Sequence, residues 1–191
     1  DASSPQQQSM LETIERNANR AKHYVASMQE AVRGIEEPYE NAVLRDILDR
    51  VIEEAQSMAA GAGVQLEATN TLAGTALVQI ERLNRALGNV VQNAIEHTPA
   101  GQTIKVCGKV DGQDNWIIRV EDNGNGFSSG ALHHATERFW RGDTARKNDG
   151  HNGLGLWFAN EVVTAHDGTL TLANDDTGGV VKIQFAKKSN G

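Results

Sequence analysis

NVVQNAIEHTP (89–99) is the stretch that decides the fold, because packing alone does not account for it. Asn89 and Asn93 stand at i and i+4 of a predicted helix, so their amides share one face. Glu96 and His97 continue that stripe, while Leu83, Leu87, Val90 and Ala94 form the opposite, aliphatic side. A side-chain amide withdrawn from water costs free energy unless it is paired. Two aligned asparagines on such a helix therefore ask for a ligand, and an amide oxygen suits a hard cation such as Mg²⁺. On this helix alone, a solvent-facing polar stripe is the simpler reading.

Two further segments follow in order: EDNGNGF (121–127) and GHNGLGLWFANEVV (150–163). The first places Asp122 at the end of an apolar strand pattern, before residues that tolerate positive φ, which makes a tight turn with exposed amides. A carboxylate there can accept a hydrogen bond from an exocyclic amine. A plain Asx turn remains the alternative. A calcium loop is excluded, because Phe127-Ser128-Ser129-Gly130 supplies no further acidic ligands. The second segment runs glycines into a helix start, where backbone amides and the positive dipole end welcome anions. It lacks the Gly-Lys-Ser/Thr of a phosphate-binding P-loop, and it follows a polar loop rather than a strand, so it is no dinucleotide fingerprint.

The remaining elements read outward from these three. Asn41–Ala60 has helical periodicity, Val64–Ala68 and Thr75–Ile80 read as strands, and Glu81–His97 is a long helix stopped by Pro99-Ala100-Gly101. Thr103–Val110 and Trp116–Glu121 are β-rich, Leu154–His166 is helical, and Thr169–Ala173 and Val180–Ala186 pair across Asp175–Gly179. Helices alternating with mainly antiparallel strands predict a two-layer α/β sandwich. Upstream, Leu11, Ile14, Ala18, Ala21, Val25, Met28, Val32 and Ile35 repeat with heptad a/d spacing. That predicts a bundle or coiled-coil helix over 9–35 that needs partner helices, with Gly34 and Pro38 at its end. Residues 1–37 and 38–191 are the expected domains.

Composition narrows the function. The net charge of −7 opposes a general nucleic-acid or membrane-surface binder. Aromatics at 5% make ring stacking an improbable main binding mode. The single cysteine, Cys107, rules out an internal disulfide and fits a reducing compartment. No apolar run approaches the about 20 residues of a membrane span. The polar beginning reads as the cut end of something longer.

Together the three segments resemble the asparagine box and the two glycine boxes of the sensor histidine kinase ATP-binding domain, in the gyrase/Hsp90/histidine kinase/MutL superfamily. Glu137-Arg138-Phe139-Trp140-Arg141-Gly142-Asp143 is similar to that family's phenylalanine box. The resemblance covers residues 75–191 and extends more loosely to 9–35, which resembles the second helix of a dimerisation hairpin. It implies a Bergerat-type fold, ATP and Mg²⁺ as ligands, and phosphoryl transfer to a histidine for relay to a response regulator. Asn93 would be the Mg²⁺ ligand, with Asn89 beside the phosphates and Glu96 and His97 nearby. Asp122 would bond the adenine amine, Gly124, Gly126 and Phe127 would shape the wall, and Phe139 would anchor a lid over 127–152. Arg138 and Arg141 would contact phosphate, as would the turn formed by His151, Asn152, Gly153, Leu154 and Gly155. The resemblance further implies a homodimer through the N-terminal helix and a cytoplasmic domain of a cell-membrane sensor.

The sequence departs from the family at points. Glu96 stands where a lysine is usual, His151 replaces a glycine, and Asn152 occupies a Ser/Thr/Gly position. None of the six histidines sits in a His-Glu-x-x-x-Pro pattern. The acceptor helix is therefore expected upstream of residue 1, and this chain alone is expected not to phosphorylate itself. A related ATPase or serine kinase and a nucleotide-binding module without turnover are the competing readings.

Overall fold

Alternation of apolar residues along three strands sets up the sheet. Ile104 and Val106 of β4 (Thr103–Val110), Ile118 and Val120 of β5 (Trp116–Asp122), and Val181, Ile183 and Phe185 of β7 (Gly179–Phe185) are all buried on one face. The computed structural model describes residues 37–138, 140 and 154–186, together with Met10. Within them β2 (Gln65–Asn70) and β6 (Gly168–Asn174) complete a five-stranded sheet of order β2-β4-β5-β7-β6. The β2–β4 pair is parallel and the others are antiparallel. The opposite face is wet and carries ion pairs such as Arg119 with Glu121 and Asp175.

Helices α1 (Leu44–Ala62), α2 (Ile80–His97) and α4 (Gly155–Ala165) form the second layer. Their apolar stripes meet the buried sheet face in a single cluster. α2 lies centrally, packed against α1 on one side and α4 on the other. This is the expected two-layer sandwich of helices on a mixed sheet.

Two elements differ from the sequence reading. The stretch taken as the start of a helix at Asn41 is strand β1 (Glu40–Val43), paired antiparallel with β3 (Thr75–Val78). Only Ala42 of β1 is buried, so no alternation betrays the strand, and tertiary pairing overrides the helical pattern that continues into α1. The segment read as a lid over 127–152 contains a short helix, α3 (Ser129–His134), whose N-cap Ser128 accepts from the Ala131 amide. The heptad repeat of 9–35 lies outside the described residues, Met10 excepted. Among the described residues no helix is long and apolar enough to cross a membrane.

Candidate functional site

The aliphatic side of α2 is buried as its pattern requires: Leu83, Ala86, Leu87, Val90, Val91, Ala94 and Ile95 face the core. That leaves Asn89 and Asn93 half-buried at the edge of the packed layer. Among the described residues neither amide side chain has a hydrogen-bond partner. Glu96 is exposed, and its Oε1 accepts from Gln92 Nε2 at 2.7 Å. His97 is exposed at the last turn, and Thr98 closes the helix by donating its hydroxyl to the Ala94 carbonyl at 2.7 Å.

Asp122 terminates β5 and is 6% exposed. Its Oδ1 accepts from the Gly124 amide at 2.9 Å and from the Gly179 amide at 3.2 Å. Charge-assisted bonds of this kind hold a carboxylate firmly. Among the described residues Oδ2 accepts no hydrogen bond and remains available to a donor. The turn after Asp122 is pressed between two walls. A Cβ on Gly124 would overlap the His97 carbonyl oxygen and sit 2.8 Å from Asp122 Oδ1. Gly126 adopts φ +68, and a Cβ there would meet Asn174 Oδ1 at 2.8 Å.

Asn174 fastens the far side of the turn. Its Oδ1 accepts from the Phe127 amide at 2.7 Å and its Nδ2 donates to the Phe127 carbonyl at 2.8 Å, in the manner of a strand partner. Gly178 packs so closely that a Cβ would overlap the Asp122 carbonyl oxygen. Asn174, Gly178 and Gly179 were not legible as site residues, since they read only as a hairpin turn. The paired glycines at that turn were the available signal.

α4 closes the other end. Gly155 begins it, and a Cβ at Gly155 would lie 3.8 Å from Asn89 Cβ, so the helix start abuts the asparagine face. Its N-cap, Leu154, is buried and supplies no side-chain cap, so among the described residues no side chain caps the first amides of α4. Two arginines from other segments stack on rings of α4: Arg85 of α2 over Phe158 at 5.1 Å and Arg138 over Trp157 at 4.6 Å. Burial lowers the Arg85 pKa from its ordinary value. Trp140 packs near Gly130 of α3, where an added Cβ would lie 3.4 Å from its ring. Phe139, Arg141, His151, Asn152 and Gly153 lie outside the described residues.

The site therefore has polarity. An open helix N-terminus stands at Asn89 and a carboxylate acceptor stands beside the His97 end, about 12 Å apart along α2 at 1.5 Å per residue. Asn93 lies between. One end suits anions, and the other suits an amine donor.

An α/β sandwich with this arrangement on its central helix is a domain of the ATP-binding class. The chain belongs to the Histidine kinase-, DNA gyrase B-, and HSP90-like ATPase family, whose description matches residues 78–189. It is 42% identical over 104 residues to the sensor histidine kinase SpaK of Bacillus subtilis, an alignment covering 54% of this chain and 22% of that protein. It is similar in structure to a mycobacterial sensor histidine kinase, MprB, with 25% identity and a TM-score of 0.68, over 76% of this chain and 97% of that one. A full-length ShkA structure in complex with AMPPNP shares the fold at 20% identity, with a TM-score of 0.73, over 99% of this chain and 41% of that one. Within the family, the chain carries the ATP-binding catalytic domain of the sensor histidine kinase type. It spans about a quarter of the length of the curated relatives it matches.

Proposed function

We propose that this domain binds ATP with Mg²⁺ and presents the γ-phosphate to a histidine on a neighbouring helix, for relay to a response regulator. The observation that carries the reading is the polarity of the α2 face: free asparagine amides and an uncapped helix start at one end, and Asp122 at the other. Asp122 Oδ2 accepts a hydrogen bond from the adenine exocyclic amine, while the two glycine amides on Oδ1 fix the direction of the carboxylate. The α4 amides and the glycine-rich residues before them in sequence receive phosphate oxygens.

The residues present fit Mg²⁺. Among the described residues no group of three His, Cys, Asp or Glu forms a metal cage. Mg²⁺ bound with nucleotide needs none, because phosphate oxygens and waters fill most of its octahedron. The half-buried, unpartnered amide oxygen of Asn93 supplies the protein ligand, with Asn89 beside it. Bound there, the ion neutralises charge on the phosphates. The chain's own part is placement: α2 and α4 align the nucleotide, and the acceptor attacks in line.

The wider assignments follow from the same kinship. The heptad stripe of 9–35 pairs two copies, the phosphoacceptor helix is supplied by the longer protein, and that protein is a cell-membrane sensor whose catalytic part lies in the cytoplasm. Mixing the chain with a peptide or domain carrying the acceptor helix, with labelled ATP and Mg²⁺, tests the reaction. Acid-labile label on the added helix supports it. Tight nucleotide binding without any label makes the chain a binding module.

A further inference from the structure

The end of α2 away from the candidate pocket is not capped by its own sequence. Its N-cap, Gln79, makes no side-chain cap bond. Instead a residue far upstream reaches in. Glu37 Oε1 accepts from the Glu81 amide at 2.8 Å and Oε2 accepts from the Arg82 amide at 3.2 Å. The Glu37 carbonyl takes a third bond, from Gln79 Nε2 at 2.5 Å. A carboxylate over first-turn amides satisfies orphan donors and opposes the positive end of the helix dipole.

The same few residues also hold α4. Gln79 is 3% exposed, and its amide donates to His166 Nε2 at 3.0 Å. Since Nε2 accepts, the ring hydrogen sits on Nδ1 and is donated to the Val162 carbonyl at 2.8 Å. Tyr39, two residues after Glu37, lies against the His166 ring with centroids 5.3 Å apart and donates its hydroxyl to the Ala165 carbonyl at 3.1 Å. Segment 37–39 thus grips the N-terminus of α2 and the C-terminus of α4 together. These two helices touch again at Asn89 and Gly155, where the candidate phosphate end lies.

We infer that Glu37 is a positioning residue for the nucleotide site: it caps the asparagine-bearing helix from a segment 44 residues upstream in the chain, and so ties the placement of Asn89 and Asn93 to segment 37–39. The inference rests on the nucleotide reading for its functional half and on the geometry of the cap for its structural half. By linkage, whatever the cap does for the pocket, nucleotide must do for the cap. Bound MgATP should protect the first-turn amides of α2, about 12 Å from Asn89 along the helix.

The test uses the 191-residue chain, with wild type, Glu37→Ala and Glu37→Gln compared by amide hydrogen exchange over residues 79–84 and by titration with a fluorescent ATP analogue and Mg²⁺. Glu37→Ala should speed exchange of that segment about tenfold and weaken nucleotide binding about fivefold. Glu37→Gln keeps one acceptor and should recover part of both. Unchanged exchange in Glu37→Ala overturns the cap. Faster exchange with unchanged affinity leaves a merely structural cap and overturns the positioning role. A wild-type chain that binds no nucleotide overturns the pocket and the positioning role with it, while exchange still decides the cap; should Glu37→Ala not fold, Glu37→Gln carries both measurements.

Discussion

Gly179 and Asp122, 57 residues apart in sequence, meet through a hydrogen bond of 3.2 Å from the glycine amide to the carboxylate Oδ1. With the Gly124 amide on the same oxygen, it leaves Oδ2 open to a donor among the described residues. Asp122→Asn keeps an oxygen for both amides and turns an NH₂ group toward the ligand's own donor. ATP affinity should fall by about 2 kcal/mol, or about thirtyfold, the scale of a bond to a charged group. Isothermal titration checks it, and melting of the unliganded protein should change little.

Asn93→Ala should act on the metal. In the wild-type chain Mg²⁺ should strengthen nucleotide binding; in the variant, affinities with and without Mg²⁺ should converge. A variant whose Mg²⁺ dependence matches that of wild type would move the ligand to another residue. Asn89 provides the comparison, since its Cβ faces Gly155 at the start of α4.

Gly178→Ala drives a methyl group into the Asp122 carbonyl. Backbone on backbone has little room to yield, so a cost of about 1–3 kcal/mol is expected. For a domain of this size that is a fall in Tm of about 2–4 °C per kcal/mol. Calorimetry reads it directly. An unchanged Tm would show that the hairpin does not press on the Asp122 turn.

The hairpin should loosen in acid. The Thr177 hydroxyl and amide bonded to Asp175, with the Gly178 amide and the nearby Arg119, hold its carboxyl below the ordinary 3.8. A group whose folded pKa is depressed stabilises fully above its unfolded value and loses that contribution as pH falls through the folded one. Asp175→Asn should therefore be less stable than wild type at pH 7, with the gap closing as pH drops below the ordinary carboxylate range. Denaturation midpoints at several pH values check it.

Much of this molecule was legible because local pattern and tertiary role coincide. α2 shows its aliphatic stripe and its two asparagines at once, and Asp122 sits where an alternating strand runs into glycines. Strand β1 was hidden because only Ala42 is buried, and its identity comes from pairing with β3. Helix α3 has one buried residue, Ala131, too few for a period. Asn174 and Glu37 act across 47 and 44 residues of chain. No window on the sequence holds both partners, so nothing local marks them.

The central claim is that Asp122 reads an exocyclic amine on a purine at one end of the α2 face. Titrating the chain with ATP and with GTP, in Mg²⁺, tests it most directly, because guanine carries a carbonyl where adenine carries its amine. ATP should bind at least about tenfold more tightly than GTP, and Asp122→Asn should erase the difference. Equal binding of the two nucleotides, or a preference that survives Asp122→Asn, would contradict the account.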